Sequence, residues 1–279
     1  MAWWGLHLLF VTILALGRPA VALGMFVISL RGLREALVLV SAPNLYPLMA
    51  ILTGLLYLWA WIDWISLFNL GIPFLFLLAL PAALWHRQRR EGERAEGIFW
   101  LLLAFWVAVA GPAFVVAVAF LPPPRSVPAN WAGWLVMLIL LTEMNDIAQA
   151  WWGRSFGIHP LAPSLSPAKT WEGLLGGMGT TLLLAAVLGP ILTPFGRSRP
   201  LGLEAFGPPW VWAAVLGIVV ALAGVGGDLM ASALKRKRGV KDSGKLLPAQ
   251  GGLLDRFDSL ALTAPAFFLI TQLLWTREW

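Results

Sequence analysis

The chain has 279 residues, of which 59% are hydrophobic and only 12% are charged, and its mean hydropathy is +0.78. Soluble domains carry about twice that fraction of charged residues, so the composition excludes an ordinary soluble fold. The lack of cysteine excludes disulfide bridges, thiolate metal sites and a cysteine nucleophile. The net charge of +6 suits contact with an anionic membrane surface or with anionic substrates, and we expect no nucleic-acid partner.

Long apolar segments with few charges recur along the chain, and each is long enough to cross a bilayer as a helix. Arg18-Pro19 interrupts the first of them, which therefore forms either one kinked helix or two pieces. The sequence predicts an all-α, polytopic integral membrane bundle of one domain, with N-terminal helices in 1–125 and C-terminal helices with the catalytic loops in 126–279. The predicted spans, about eight in number, are 4–30, 46–62, 65–85, 98–121, 130–150, 173–194, 210–231 and 256–275.

Tryptophan residues cluster at the ends of these predicted spans. Indole prefers the headgroup level of a bilayer, so this clustering indicates aromatic belts at both interfaces. The residues concerned are Trp3 and Trp4, Trp61 and Trp64, Trp131 and Trp134, Trp151 and Trp152, Trp210 and Trp212, and Trp275 and Trp279.

Positive charge is concentrated on one side of the predicted membrane. With eight spans, the loops 31–45, 86–97, 151–172 and 232–255 share a side, and together with Arg256 they hold 15 of the 20 Lys and Arg residues. Cytoplasmic loops carry the excess of Lys and Arg. The sequence therefore predicts a bacterial-type inner (plasma) membrane protein with these loops in the cytoplasm and both termini outside. A homodimer is left open.

Carboxylates gather at the predicted cytoplasmic ends of three spans. Asp146 lies near the end of the fifth span, Asp228 near the end of the seventh, and Asp255 and Asp258 open the eighth. Each could be a solvated helix end, but ionisable groups at membrane depth usually line a site, and their shared depth favours a functional cluster. Because oxygen ligands without cysteine suit hard cations, we expect Asp228 and Asp255 to hold Mg²⁺, with Asp258 and Asp146 as further candidate ligands.

Basic residues crowd around the last two of these carboxylates. Acidic and basic groups are expected side by side if the acids hold a metal and the bases bind phosphates, although a basic run by itself is also a topology signal. Gly251-Gly252 precedes a predicted helix start, where backbone N–H groups can face an anion. The basic residues are Lys235, Arg236, Lys237, Arg238, Lys241, Lys245 and Arg256.

The loop before the sixth span offers a second set of polar groups. Ser166-Pro167 and Thr170 are predicted helix-start signals, and the pair Gly173 and Gly177 has the spacing for close helix packing. His159 is predicted to have a surface role rather than a catalytic one. Glycines at 224, 226 and 227 are predicted to let the seventh helix open near the metal.

Two stretches resemble the phosphatidate cytidylyltransferase (CDP-diacylglycerol synthase) family. Its signature S-x-L-K-R-x4-K-D-x-G-x2-L-P-x-H-G-G-x2-D-R-x-D is matched by Ser232, Leu234, Lys235, Arg236, Lys241, Asp242, Gly244, Leu247, Pro248, Gly251, Gly252, Asp255, Arg256 and Asp258. The element S-P-x-K-T-x-E-G is matched by Ser166, Pro167, Lys169, Thr170, Glu172 and Gly173, and the G-D before the signature by Gly227 and Asp228. These motifs lie within residues 142–260.

The resemblance implies that CTP and phosphatidate react to give CDP-diacylglycerol and pyrophosphate, with Mg²⁺ and, as an open question, a second monovalent cation. The catalytic residues it implies are Asp228, Asp255, Lys241, Asp242 and Arg256. The substrate-binding residues it implies are Ser166, Lys169, Thr170, Ser232, Lys235, Arg236, Gln250, Gly251 and Gly252. Among the motif residues, Asp228 and Asp255 are the expected metal ligands and Asp258 is a further candidate. Asp146, which lies outside the matched motifs, is added because of its depth in the fifth span.

One position departs from the signature, because Gln250 stands where the family usually has histidine. Glutamine can hydrogen-bond but cannot carry a positive charge, so the change bears on rate or substrate fit more than on the type of reaction. Three alternatives stay open: a diverged paralogue that acts on another lipid phosphate, a nucleotide-dependent lipid kinase, and a non-enzymatic membrane transporter.

Overall fold

The computed structural model describes residues 12–62, 94–121, 132–193, 208–244 and 251–275. The predicted all-α architecture is confirmed, with one short β-hairpin in addition. The helices are α1 (Arg18–Leu39), α2 (Tyr46–Ile62), α3 (Arg94–Phe105), α4 (Gly111–Phe120), α5 (Ala132–Phe156), α6 (Trp171–Leu192), α7 (Pro209–Lys237), α8 (Leu254–Phe257) and α9 (Leu260–Trp275). A 3₁₀ turn (Pro43–Leu45) precedes α2, a π turn (Trp106–Ala110) joins α3 to α4, and the hairpin consists of β1 (Pro160–Ala162) and β2 (Ser166–Thr170).

Three of the described helices are long and apolar enough to cross a membrane. They are Gly97–Phe120, in which α3, the π turn and α4 run on as one segment, Trp171–Leu192 in α6 and Trp210–Lys237 in α7. Each lies on a predicted span. The predicted span 65–85 and residue Gln250 lie outside the described residues, and the total of eight spans stays a prediction.

The first predicted span is broken at Gly17. This residue has a φ of 91°, a left-handed conformation that favours glycine. A new helix, α1, begins directly after it with Pro19 in the first turn, where the missing N–H costs nothing. The described part of this span therefore forms two pieces rather than one kinked helix.

Several helices continue beyond the apolar runs that predicted them. α1 runs through Arg31 and Arg34 to Leu39, so the predicted loop 31–45 is helical over most of its length. α7 likewise continues to Lys237. An apolar run marks only the part of a helix suited to hydrocarbon, whereas the backbone hydrogen bonds can continue into the polar interface.

The described residues fall into two compact units, each made of two chain segments. The first unit comprises the described parts of 1–117 and 230–261, and the second comprises those of 118–229 and 262–279. The predicted division into 1–125 and 126–279 concerned the order of helices along the chain and stays a prediction.

In the first unit, the π turn packs against the start of α9. The indole Nε1 of Trp106 donates a hydrogen bond to the carbonyl oxygen of Ala261 (3.0 Å). That carbonyl would normally accept from the residue four positions later, but Pro265 has no N–H to give. Gly111 lies so close to the same carbonyl that a side chain there would overlap it. A tryptophan N–H thus replaces the hydrogen bond that the proline removes.

In the second unit, α5 and α6 pack closely because glycines remove side chains from α6. A Cβ on Gly173 would lie 2.8 Å from the Gln149 carbonyl oxygen, and one on Gly177 would overlap the Gln149 side chain. The predicted packing role of these two glycines is confirmed. The glycines of α7 also serve packing, since a Cβ on Gly224 would lie 2.8 Å from Asn145 Nδ2. The predicted opening of α7 near Asp228 is wrong, because the helix is continuous there.

A buried polar residue ties this packing together. Asn145 is fully buried, its Oδ1 accepts a hydrogen bond from Thr181 Oγ1 (3.3 Å), and its Nδ2 reaches the Ala221 carbonyl (3.5 Å). α5, α6 and α7 are thereby joined next to Asp146. Trp134, predicted to lie in an aromatic belt, is only 1% exposed and packs edge-on against Phe267. That prediction is wrong, because indole can be buried wherever a cavity of matching shape exists.

Candidate active site

The hairpin carries the element of residues 166–173 into the N-terminus of α6. β2 pairs antiparallel with β1, with Pro160 opposite Thr170 and Ala162 opposite Ser166. Thr170 then caps α6, because its Oγ1 accepts a hydrogen bond from the Gly173 N–H (3.1 Å). Thr170 is therefore confirmed as a helix start, whereas Ser166 lies in a strand and its predicted helix-start role is wrong.

Glu172 holds the other end of the hairpin against the first turn of α6. Its Oε2 accepts hydrogen bonds from the N–H groups of Ile158 (3.1 Å) and His159 (3.2 Å). Its Oε1 lies 2.6 Å from His159 Nδ1. The His159 side chain is mostly exposed, in agreement with the predicted surface role.

A cavity of about 280 Å³ lies beside this hairpin, within the second unit. Lys169 Nζ forms an ion pair with Asp228 Oδ2, and the two side chains are only 21% and 17% exposed. The polar lining of the cavity is provided by Asp146, Gln149, Arg154, Lys169, Thr170 and Asp228. Two carboxylates and two cations therefore surround one space.

This charge arrangement suits a phosphate compound better than a neutral ligand. Arg154 and Lys169 can donate hydrogen bonds to phosphate oxygens. The two carboxylates can bind a metal cation that the phosphate oxygens also bind. Mg²⁺ is usually bound by one or two carboxylates, with substrate phosphates and waters completing its shell. Asp146 and Asp228 fit that donor set, since they line the same cavity.

The signature segment forms a second charged cluster, within the first unit. Lys235 Nζ lies 2.8 Å from Asp255 Oδ1 and 3.7 Å from Asp258 Oδ2. All three side chains are largely buried, with exposures of 12%, 11% and 18%. One lysine on α7 thus forms ion pairs with two carboxylates, one in α8 and one between α8 and α9.

The second oxygen of Asp255 is held by the preceding loop. Oδ2 accepts hydrogen bonds from the Ser243 N–H (2.8 Å), the Ser243 hydroxyl (3.0 Å) and the Gly252 N–H (2.9 Å). Burial opposes ionisation of this carboxyl, but Lys235 and these donors outweigh it, so the pKa of Asp255 lies below its usual value. The anion that the Gly252 N–H faces is therefore a carboxylate of the protein itself.

The other predicted residues of this segment differ in accessibility. Arg236, Lys241 and Asp242 are exposed, while Ser232, Gly251 and Arg256 are partly buried. Gly251 has a φ of 84°, a conformation that favours glycine, so its place in the turn is explained by the backbone.

Within the described residues, no three His, Asp or Glu side chains are grouped so as to hold a metal ion. Asp146 and Asp228 lie together in the second unit, and Asp255 and Asp258 lie together in the first. The predicted four-carboxylate cluster stays a prediction.

Comparison with known proteins decides the family. A model of the "Cytidylyltransferase family" matches residues 1–274, which is nearly the whole chain. The chain belongs to this cytidylyltransferase family. The resemblance drawn from the two motifs is thereby confirmed.

Among its relatives, this chain is similar to "Uncharacterized protein YnbB" of Escherichia coli (strain K12), with 35% identity over 274 residues, 95% of this chain and 84% of that protein. It is 31% identical to a phosphatidate cytidylyltransferase of Rickettsia bellii over 202 residues, 72% of this chain and 81% of that protein. It is 34% identical to a phosphatidate cytidylyltransferase of Mycobacterium bovis over 151 residues, 53% of this chain. The chain spans only 44% of the length of that mycobacterial relative.

Two residues beside these charged groups were missed by the sequence analysis. Arg154 lines the cavity beside Lys169, and a cation at the polar end of a span was the only signal for it. Glu35 on α1 contacts the signature segment through Ser243, Leu253 and Leu254. Glu35 fell in the predicted loop 31–45, and nothing in its spacing pointed to residues 243–254.

Proposed function

We propose that this cytidylyltransferase transfers CMP from CTP to phosphatidate and releases CDP-diacylglycerol and pyrophosphate. The observation that carries the proposal is the cavity in which Lys169 pairs with Asp228 beside Asp146 and Arg154. Support for the lipid acceptor comes from the relatives named phosphatidate cytidylyltransferase.

The reaction needs positioning and charge neutralisation more than proton transfer. A phosphate oxygen of phosphatidate attacks the α-phosphorus of CTP. The new O–P bond forms as the bond from the α-phosphorus to the oxygen bridging the β-phosphorus breaks, and pyrophosphate leaves with that electron pair. Phosphatidate is already anionic near neutral pH, so no general base is required. Lys169 and Arg154 reduce the repulsion between the two phosphate groups.

Mg²⁺, when bound, supplies charge neutralisation on the CTP phosphates. Asp146 and Asp228 would hold it in the cavity, and Asp255 and Asp258 are proposed as further ligands. Lys235, Arg236, Lys241 and Arg256 are proposed to bind phosphate, and a second, monovalent cation is left open.

The membrane setting follows from the substrates. CTP is a soluble nucleotide of the cytoplasm, whereas phosphatidate lies in the bilayer with its phosphate at the headgroup level. A bundle whose charged residues gather at the cytoplasmic ends of apolar helices allows the two to meet. We place the active site at the cytoplasmic face of the inner membrane, with both termini outside.

Product analysis tests the proposed function. The purified protein is supplied with phosphatidate and CTP labelled in the cytosine ring, or with CTP labelled in the γ-phosphate. Lipid-bound cytidine is expected, with diacylglycerol in place of phosphatidate as the matched acceptor control. Transfer of the γ-phosphate to lipid would establish a kinase, and cytidine transfer only to another lipid phosphate would establish a diverged acceptor. No transfer of either label would overturn the proposed function and leave a transporter.

The cytoplasmic position of 232–255 can be tested because the natural chain has no cysteine. Single cysteines at Lys241 and Asp242, two exposed positions, are expected to resist a membrane-impermeant thiol reagent in intact cells and to react after lysis. The expectation rests on the excess of positive charge on this side. Ready labelling in intact cells would reverse the proposed topology.

The glutamine at position 250 is expected to substitute for the family histidine without charge. Gln250→His should change the rate by about tenfold or less, equivalent to roughly 1.4 kcal/mol. Its pH–rate profile should gain a limb near the histidine pKa of about 6.5. If the natural chain is inert with CTP and phosphatidate while Gln250→His is active, the natural acceptor is a different one.

A further inference from the structure

Glu35 lies on α1, 208 residues before Ser243 in the chain, yet its carboxylate contacts the signature segment at three points. Its Oε1 accepts a hydrogen bond from the Leu253 N–H (3.0 Å). Its Oε2 accepts from the Leu254 N–H (2.9 Å) and from the Ser243 hydroxyl (2.8 Å). Both oxygens of Glu35 are therefore bound to the segment that carries Asp255.

Asp255 binds the same loop through Ser243 and Gly252. Ser243 Oγ lies within hydrogen-bond distance of both Glu35 Oε2 and Asp255 Oδ2. A hydroxyl has one hydrogen to donate, so the two carboxylates share it. Gly252 lies so close to this contact that a side chain there would overlap both Ser243 Oγ and Glu35 Oε2. The turn before α8 is thus enclosed by two carboxylates.

The turn needs such support because α8 has only four residues. The first N–H groups of a helix have no acceptor within it, and a single turn is not stable on its own hydrogen bonds. α8 has no side-chain cap from its own N-cap residue, Leu253. Glu35 supplies the missing acceptors from a distant helix.

We propose that Glu35 is a positioning residue of the active site: it fixes the turn 251–254 so that Asp255 and Arg256 keep the orientation that substrate binding requires. Its effect passes through the backbone of Leu253 and Leu254 rather than through contact with a substrate. The catalytic consequence rests on the proposed function, whereas the structural one does not.

Glu35→Gln tests the catalytic consequence. An amide keeps the shape but has one acceptor oxygen, and its NH₂ group would face an N–H or O–H donor of the turn. We expect kcat to fall by about 10- to 100-fold, with a change in the KM for CTP of about threefold or less. Glu35→Asp retains two acceptor oxygens and should restore part of the rate. Glu143→Gln, the same change at an exposed position of α5, is the matched control and should keep the natural rate.

Hydrogen exchange tests the structural consequence without any substrate. In Glu35→Gln, the Leu253 and Leu254 amides are expected to exchange at least about tenfold faster, because an acceptor is lost. If Glu35→Gln cannot be purified folded, Glu35→Asp and Ser243→Ala provide the same measurement with smaller expected increases. Unchanged exchange at these two amides would overturn the positioning role. So would a Glu35→Gln variant in which the KM for CTP rises while kcat stays unchanged. If the natural chain transfers no CMP, the proposed function is wrong. The exchange measurement still tests the role of Glu35, because it needs no substrate.

Discussion

Asp228→Asn is expected to lower CMP transfer by about a thousandfold while the protein is still made and inserted. Asp228 pairs with Lys169 at the edge of the cavity, and both side chains are largely buried. The substitution removes a proposed metal ligand and leaves the lysine without its carboxylate. Turnover should be measured across a range of Mg²⁺ concentrations, and the half-maximal concentration is expected to rise in the variant.

A second variant separates the chemical role of Asp228 from a purely structural one. If the carboxylate only neutralises Lys169, the double variant Lys169→Met with Asp228→Asn should recover activity, because no buried charge is then left alone. If both side chains bind the substrates or the metal, the double variant should be as inactive as the single ones. Near-normal turnover of both Asp228→Asn and Asp255→Asn would refute the metal hypothesis.

Lys235→Met is expected to have the second large effect, on stability as well as on rate. Lys235 neutralises Asp255 and lies near Asp258, and all three side chains are largely buried. Removing one partner of a buried ion pair costs about 3–5 kcal/mol, because the remaining charge is uncompensated. We expect a lower melting temperature in detergent and a fall in rate of at least about a hundredfold.

The pH–rate profile of Lys235→Met is expected to shift in one direction. Lys235 holds the pKa of Asp255 below its usual value against the effect of burial. Without the lysine that pKa rises, so the acid limb of the pH–rate profile should move towards neutral pH. Lys237→Met is the matched control, since Lys237 is exposed and its ammonium group lies 5.4 Å from the centre of the Trp100 ring. An unchanged melting temperature and acid limb in Lys235→Met would contradict the role of this pair.

Local patterns in the sequence predicted the helices and the local details of the site. Apolar runs marked α2, α6 and α9 within a few residues of their observed bounds. Thr170 was predicted as a helix start because a cap is formed with a residue three positions away. Gly173 and Gly177 were predicted to pack because they share one face of a helix. These features depend on neighbours in the chain, so residue spacing is enough to predict them.

Contacts between residues far apart in the chain were decided only by the tertiary structure. Nothing in the spacing of Glu35 indicated that it would bind the turn before α8, and nothing in Trp134 indicated burial against Phe267. The same holds for the pairing of Lys169 with Asp228, which are 59 residues apart. The sequence by itself determined the helical membrane architecture and the family, because those follow from composition, periodicity and motif. The residues proposed to bind phosphate and metal stay predictions. Which carboxylate neutralises which lysine was decided by helix packing, since a side chain's partner depends on the three-dimensional course of the whole chain.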